Sequence, residues 1–290
     1  MTKIFIDAYA DCSEAEATKA DILIAPSKLK IGKKTYLKND EIKLSESEVI
    51  KKIKAGECQV VPLTIEEWVD FFTPYLQQGD DVVFFTISQL LLADGGEDLR
   101  SAFCILSDNF PERKCVLVDT LTVSRGTSEI AMMSSILHRT EPDLDKVLEF
   151  AHTLIGRYIT VLAIDDVESL KNTIIFKKVS KNFAGATVNL KPIISINPDG
   201  NIQIVEKVRG FKSATNRIYS IVAQNGENIA DYTFSIVNFG AKDEADKLFE
   251  KFATQVESNE IRNLPISTYN AVNVGGKVVG ITFHAKKYDR

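Results

Sequence analysis

The chain has 290 residues, 44% of them hydrophobic, and a net charge of −5, so it carries apolar material for more than one core and has the length at which two domains are expected. Its lysines are spread along the whole sequence, without the basic face that grips phosphate backbones, which excludes a nucleic-acid-binding reading. The longest apolar stretch, Val82 to Ala93, is broken by Thr86, Ser88 and Gln89 and falls short of the roughly 20 residues that span a bilayer, so no membrane insertion is expected.

The first strand signal is Ile4 to Asp7. The chain enters it directly from Met1, without a signal-peptide pattern, and a cytoplasmic location is the expectation. A strand at Ile22 to Ala25 follows, then helices over Glu46 to Ala55 and Ile65 to Gln78 and a strand at Asp81 to Ser88. Ser45 with Glu48 and Thr64 with Glu67 have capping-box spacing, and Gly56 and Gly79 stand where helices stop. A helix is predicted over Glu97 to Ser107, a strand at Val116 to Asp119, and helices near Thr127 to His138 and from Pro142-Asp143 towards Ile155. This alternation predicts a parallel sheet with crossover helices, ending near Gly156.

The remainder reads as α+β with a mixed or antiparallel sheet. It has a strand at Ile159 to Ile164, a helical stretch around Val167 to Val188, and a hairpin from Pro192 to Val208 turning at Pro198-Asp199-Gly200. A helix over Ala214 to Ala223, a strand at Tyr232 to Asn238 and a helix over Lys242 to Gln255 come next. Two extended segments, Ile266 to Val274 and Lys277 to Ala285, are predicted to pair through a Gly275-Gly276 turn. The expected fold class is thus α/β in two domains: residues 1–156 as a parallel α/β unit and 157–290 as an α+β unit.

Chemistry-bearing clusters are sparse. Cysteines 12, 58, 104 and 115 form no C-x-x-C pair, and His138, His152 and His284 have no acid or cysteine at ligand spacing, so neither disulfides nor a metal is expected. Asp7 and Asp119 each end a predicted parallel strand, where ligands bind in open α/β sheets. The same acids commonly cap the following helix, and no nucleophile and base can be paired with them. Trp68, Phe71 and Phe72 share a helical spacing that reads as core. No Walker-type phosphate loop is present, and Gly275-Gly276-Lys277 sits between strands in this reading.

Several segments in order resemble the bacterial DegV family, fatty-acid-binding proteins of the EDD fold. These are Ile4-Phe5-Ile6-Asp7, Ile22-Leu23-Ile24-Ala25-Pro26, Val116-Leu117-Val118-Asp119-Thr120 with Ser124 and Gly126, Asn189-Leu190-Lys191-Pro192-Ile193-Ile194, Val208-Arg209-Gly210-Phe211-Lys212 and Val272-Asn273-Val274-Gly275-Gly276. The resemblance covers nearly the whole chain. It implies a carrier, not an enzyme, that needs no cofactor, buries a long acyl chain between its domains and can present the carboxylate to a partner fatty-acid kinase.

The residues that would hold that carboxylate have diverged. Val60 and Val61 stand where the family has a Thr-Ser pair, and Ala93 to Asp98 replaces a Ser-Gly-Thr-Tyr run. Asn273 takes the place of a His, so it can donate a hydrogen bond but cannot carry charge. Asn172 to Phe176 replaces a Gly-Gly-Arg-Ile segment, with Lys177 and Lys178 close by. The expected ligand-binding set is therefore Val60, Val61, Thr64, Ser88, the Gly95 and Gly96 amides at a helix start, and Asn273. Arg209 and Lys212 match the family and are candidates for contact with a partner. Two alternatives stand beside this reading: a paralogue that has lost its lipid and acts through interactions, and a small-molecule enzyme on the same scaffold.

Overall fold

The computed structural model describes residues 1–38, 40–165, 190–227, 233–255 and 260–285. In chain order these form β1 (Thr2–Ile6), α1 (Glu14–Ala20), β2 (Ile22–Ile24), β3 (Lys28–Ile31), β4 (Lys34–Leu37), α2 (Glu46–Lys54), β5 (Cys58–Val61), α3 (Ile65–Gln77), β6 (Asp81–Thr86), α4 (Glu97–Asn109), β7 (Cys115–Asp119), α5 (Arg125–His138) and α6 (Leu144–Leu154). Beyond them lie β8 (Tyr158–Ile164), β9 (Leu190–Ile196), β10 (Ile202–Arg209), α7 (Phe211–Asn225), β11 (Thr233–Phe239), α8 (Lys242–Gln255), β12 (Glu260–Pro265), α9 (Thr268–Val274) and β13 (Val278–His284).

β2, β1, β6 and β7 form a parallel sheet in that order. Alternate residues of its strands enter two cores, because helices cover both faces. Ile4, Ile6, Val83 and Phe85 pack with Ile130, Ala131, Val147 and Ala151 of α5 and α6. Phe5, Val82 and Phe84 pack with Phe72, Leu76, Leu99, Phe103 and Leu106 of α3 and α4. Helices α2 and α3 begin with the two predicted capping boxes, and Gly56 and Gly79 follow their last turns at φ +71° and +86°.

The second large sheet has the order β10-β9-β8-β13-β11-β12 and is antiparallel except for the β11–β12 pair. One face packs on α7 and α8 through Val161, Ile236, Ile281 and Phe283. The opposite face, with Leu162, Ile194, Val237 and Val278, meets Leu29 and Ile31 of β3, Val49 and Ile53 of α2, and Tyr269, Val272 and Val274 of α9. A small antiparallel sheet, β4-β3-β5, therefore leans on the second half of the chain although it comes from the first. The parallel α/β and mixed-sheet architecture matches the expected fold class, and the Pro192 hairpin pairs Pro192 with Lys207 around Gly200 at φ +80°.

The C-terminal pairing differs from expectation. Residues 266–274 do not run as a strand, and Gly275-Gly276 is not a hairpin turn. Ser267 caps a helix by accepting from the Asn270 amide at 3.2 Å. Gly275 ends that helix in the left-handed region at φ +86°, the conformation a helix stop demands of its last residue. β13 pairs instead with β8 and β11. The β-branched and polar mixture Thr268-Tyr269-Asn270-Ala271-Val272-Asn273-Val274 has strand propensity, but the cap and the apolar seat beneath Tyr269 and Val272 override it. Helix α1 went unanticipated, and the predicted helical stretch Val167 to Val188 lies outside the described residues.

Candidate functional site

The C-terminal ends of all four parallel strands empty into one region. β1 leads to Asp7 and Tyr9, β2 to Pro26 and Ser27, β6 to Ile87 and Leu91, and β7 to Val123, and each of these residues lines one of two cavities. This is where an open α/β sheet leaves its crevice. The outer cavity encloses about 660 Å³, counted with its open side, and is walled further by Val60, Val61, Pro62 and Leu63 after β5, by Trp68 and by Leu99. The inner cavity, about 490 Å³ counted in the same way, lies between Val123 and the mixed sheet, against Leu162, Ile194, Ile196 and Ile202. Ile87, Leu91 and Asn273 border both, so the two cavities adjoin. Trp68 does two jobs there: it stacks on Phe72 at 6.1 Å between ring centroids and forms part of the outer wall.

Few polar groups face this space. Asp7 is buried and accepts from the Tyr9 amide at 3.0 Å and the Thr86 hydroxyl at 2.9 Å. Burial pushes its pKa up to about 6, and the two hydrogen bonds only partly offset that. Burial likewise raises the Tyr9 hydroxyl above its ordinary range. The Ser27 hydroxyl is buried beside the Tyr269 hydroxyl. Asp94 and Asp98 stand on the outer side. Partial burial opposes the Asp94 charge, but the amides of Asp98 and Gly96, donating at 2.7 and 2.8 Å, outweigh it and hold the carboxyl below its usual range.

Of the residues expected to bind ligand, Val60, Val61 and Asn273 line the space. The other four face different partners. The Thr64 hydroxyl caps α3 by accepting from the Glu67 amide, and the Ser88 hydroxyl donates to the Gly200 carbonyl at 2.7 Å. The Gly95 amide donates to the Leu92 carbonyl, and the Gly96 amide is taken by Asp94, so a side-chain carboxylate already occupies the expected anion seat. Asp119, the second strand-end acid, accepts from the Leu121 and Gln89 amides in the manner of a cap. Arg209 and Lys212 lie exposed at the end of β10 and the start of α7. Sequence reading missed Tyr9, Ser27, Ile87 and Leu91 as lining residues, although the strand-end rule applied to Asp7 points also to Tyr9 and Ile87, just past β1 and β6.

Fold and site together define an α/β protein with an internal apolar space beside the parallel sheet. The chain belongs to the DegV family: the family model described as an uncharacterised protein of the DegV family matches residues 1–286. A DegV domain-containing protein of Lactococcus lactis is 23% identical over 288 residues, covering 98% of each chain, and one of Streptococcus pyogenes is 22% identical over 279 residues, covering 96% of each. Among solved structures, a fatty-acid-binding DegV family protein from Thermus thermophilus superposes with a TM-score of 0.83 at 19% identity, covering 98% of this chain and 99% of that one. The Fak B3 protein of Streptococcus pneumoniae fatty acid kinase, loaded with linoleic acid, gives 0.81 at 15% identity and covers 99% and 100%. Among the described residues no helix is long and apolar enough to cross a membrane.

Proposed function

We propose that this protein binds a long-chain fatty acid or a related lipid, with the acyl chain in the inner cavity and the head group towards Asn273 and the outer one. The single observation that carries the reading is the adjacency of the two cavities across Ile87, Leu91 and Asn273, with aliphatic side chains along most of the wall. Burying an acyl chain there gains about 0.8 kcal/mol per CH₂, so a dozen methylenes outweigh the cost of ordering the chain. The protein acts as a cytoplasmic carrier and not as an enzyme; Asp7 and Asp119, its best-placed acids, are both spent on local backbone amides. The likeness to Fak B3 supports a second step, in which the head group is offered to a fatty-acid kinase, with Arg209 and Lys212 as contacts for that partner.

Titration of delipidated protein with a fluorescent acyl probe tests the binding step. Saturable binding at one probe per chain supports the reading, and its absence would defeat it.

A further inference from the structure

We propose that Asp11 is a positioning residue of the head-group site: its carboxylate ties the start of α9 to the loop after β1 and so fixes where Asn273 stands between the two cavities. This rests on the reading that the cavities hold a lipid with its head group towards Asn273.

Asp11 gathers bonds from remote stretches of chain. Its carboxylate accepts from the Ser267 amide at 2.8 Å, from the Asn270 side-chain amide at 2.8 Å and from the Ser124 hydroxyl just before α5. Ser267 is the cap of α9, and Asn270 is its third residue. The Asn270 amide also donates to the Tyr9 carbonyl, so the loop after β1 holds this side chain twice. All three partners of Asp11 are donors, and a carboxylate is the side chain that only accepts, in charge-assisted bonds. The backbone is bent to suit the cluster. Asp11 lies in the left-handed region at φ +52°, and Ser124 has φ +56°. Strain of this kind gathers where a geometry serves a site.

The bonds reach the cavities through α9. Asn273 follows Asn270 by three residues and shares its side of the helix. Both line the inner cavity, and Asn273 borders the outer one as well. On the mixed-sheet side, Tyr269 and Val272 seat the helix through apolar contacts, which are non-directional and leave its rotation loosely set. The hydrogen bonds at Asp11 are directional and set it. At the other end of the loop, Asp7 holds the Tyr9 amide and the Thr86 hydroxyl, so the platform on which Asp11 stands is itself tied to the parallel sheet.

The test is calorimetric binding of palmitate to the whole protein in a cycle of Asp11→Asn and Asn273→Ala. Asparagine keeps the shape and tolerates the left-handed backbone, but turns one acceptor into a donor that faces donors. Asp11→Asn is expected to weaken palmitate about tenfold in the parent and less than about twofold beside Asn273→Ala, since misplacing Asn273 matters only while it makes its contact. Equal losses in the two backgrounds, or no loss in the parent, would overturn the positioning role and leave lipid binding intact. A parent that binds neither the acyl probe nor palmitate would overturn both. Hydrogen exchange of the lipid-free protein gives a second readout: the α9 amides should exchange at least about tenfold faster in Asp11→Asn while those of β1 and β6 keep their protection. Unchanged exchange in α9 would overturn the proposal. If Asp11→Asn does not fold, Ser124→Gly, which suits the backbone there and removes one donor, is expected to show the same dependence on Asn273 at about threefold, and a loss independent of Asn273 would overturn the role.

Discussion

The Ser88 hydroxyl donates to the Gly200 carbonyl at 2.7 Å across 112 residues of sequence, tying the end of the parallel sheet to the turn of the β9–β10 hairpin. The hairpin supplies Ile194, Ile196 and Ile202 to the inner cavity, so this bond holds one cavity wall against the other half of the protein. Gly200 has φ +80°, and a Cβ there would collide with Ser88 Oγ. Ser88→Ala should cost about 1 kcal/mol by leaving a buried carbonyl unpaired, and Gly200→Ala roughly 2–3 kcal/mol through strain and overlap together. Chemical denaturation of the two variants checks the order, and a Gly200→Ala protein as stable as the parent would contradict the contact.

Leu91 lines both cavities where they adjoin. Leu91→Trp should put an aromatic ring into that space and weaken acyl-probe binding by at least about tenfold, at a cost in stability of about 1–3 kcal/mol. Unaltered binding in a folded Leu91→Trp protein would place the lipid elsewhere.

Val60 and Asn273 lie on the outer cavity wall where the resemblance puts a hydroxyl and a histidine. Val60→Thr combined with Asn273→His restores a donor and a chargeable ring and is expected to tighten palmitate about tenfold, the effect of one or two hydrogen bonds of about 1 kcal/mol. Calorimetric titration with palmitate reads the change.

Asp7 gives a pH signature. Its folded pKa of about 6 lies above the ordinary 3.8 because of burial, so between those values the native state holds a proton that the unfolded chain has lost. Stability therefore falls as pH rises through this window, and above it the full cost of about 3 kcal/mol is present. Asp7→Asn should remove this contribution, so the difference in unfolding free energy between parent and variant changes from about pH 4 to about pH 6 and is level beyond. A difference that is flat across the window would show that Asp7 titrates as an exposed acid.

Arg125 is fully buried and pairs at 2.9 Å with Glu16 and with Glu129, while Arg262 of β12 reaches both acids at 3.4 Å. Arg125→Met should destabilise by roughly 3–5 kcal/mol, because Glu129 is left with one distant cation in an apolar setting. Adding Glu129→Gln should recover part of that loss, and a double variant worse than the single would contradict the pairing.

Much of the fold was legible because its elements carry local signals that agree with their packing. The boxes Ser45–Glu48 and Thr64–Glu67 start α2 and α3, and Pro198-Asp199-Gly200 turns the hairpin. The failure at 266–274 arose where local chemistry is ambiguous: Gly-Gly serves a turn or a helix stop equally, and Ser267 as a cap became decisive only with an apolar seat below α9. The site was partly legible. Val60, Val61 and Asn273 were reached by resemblance, whereas Ser27 after β2 and Leu91 in a short 3-10 turn after β6 lie in connections whose direction depends on how two sheets approach each other, which no local pattern encodes. Thr64, Ser88 and Gly96 show the converse, since polar groups that look available in sequence are consumed by neighbours that only folding brings near.

The central claim is that a lipid chain occupies the adjoining cavities. Native mass spectrometry of the protein as purified, followed by organic extraction of whatever it carries, addresses this most directly. The account predicts one single-chain lipid per protein and its loss in Leu91→Trp. Protein that is empty on isolation, and stays empty after incubation with fatty acids and monoacylglycerols, would contradict it.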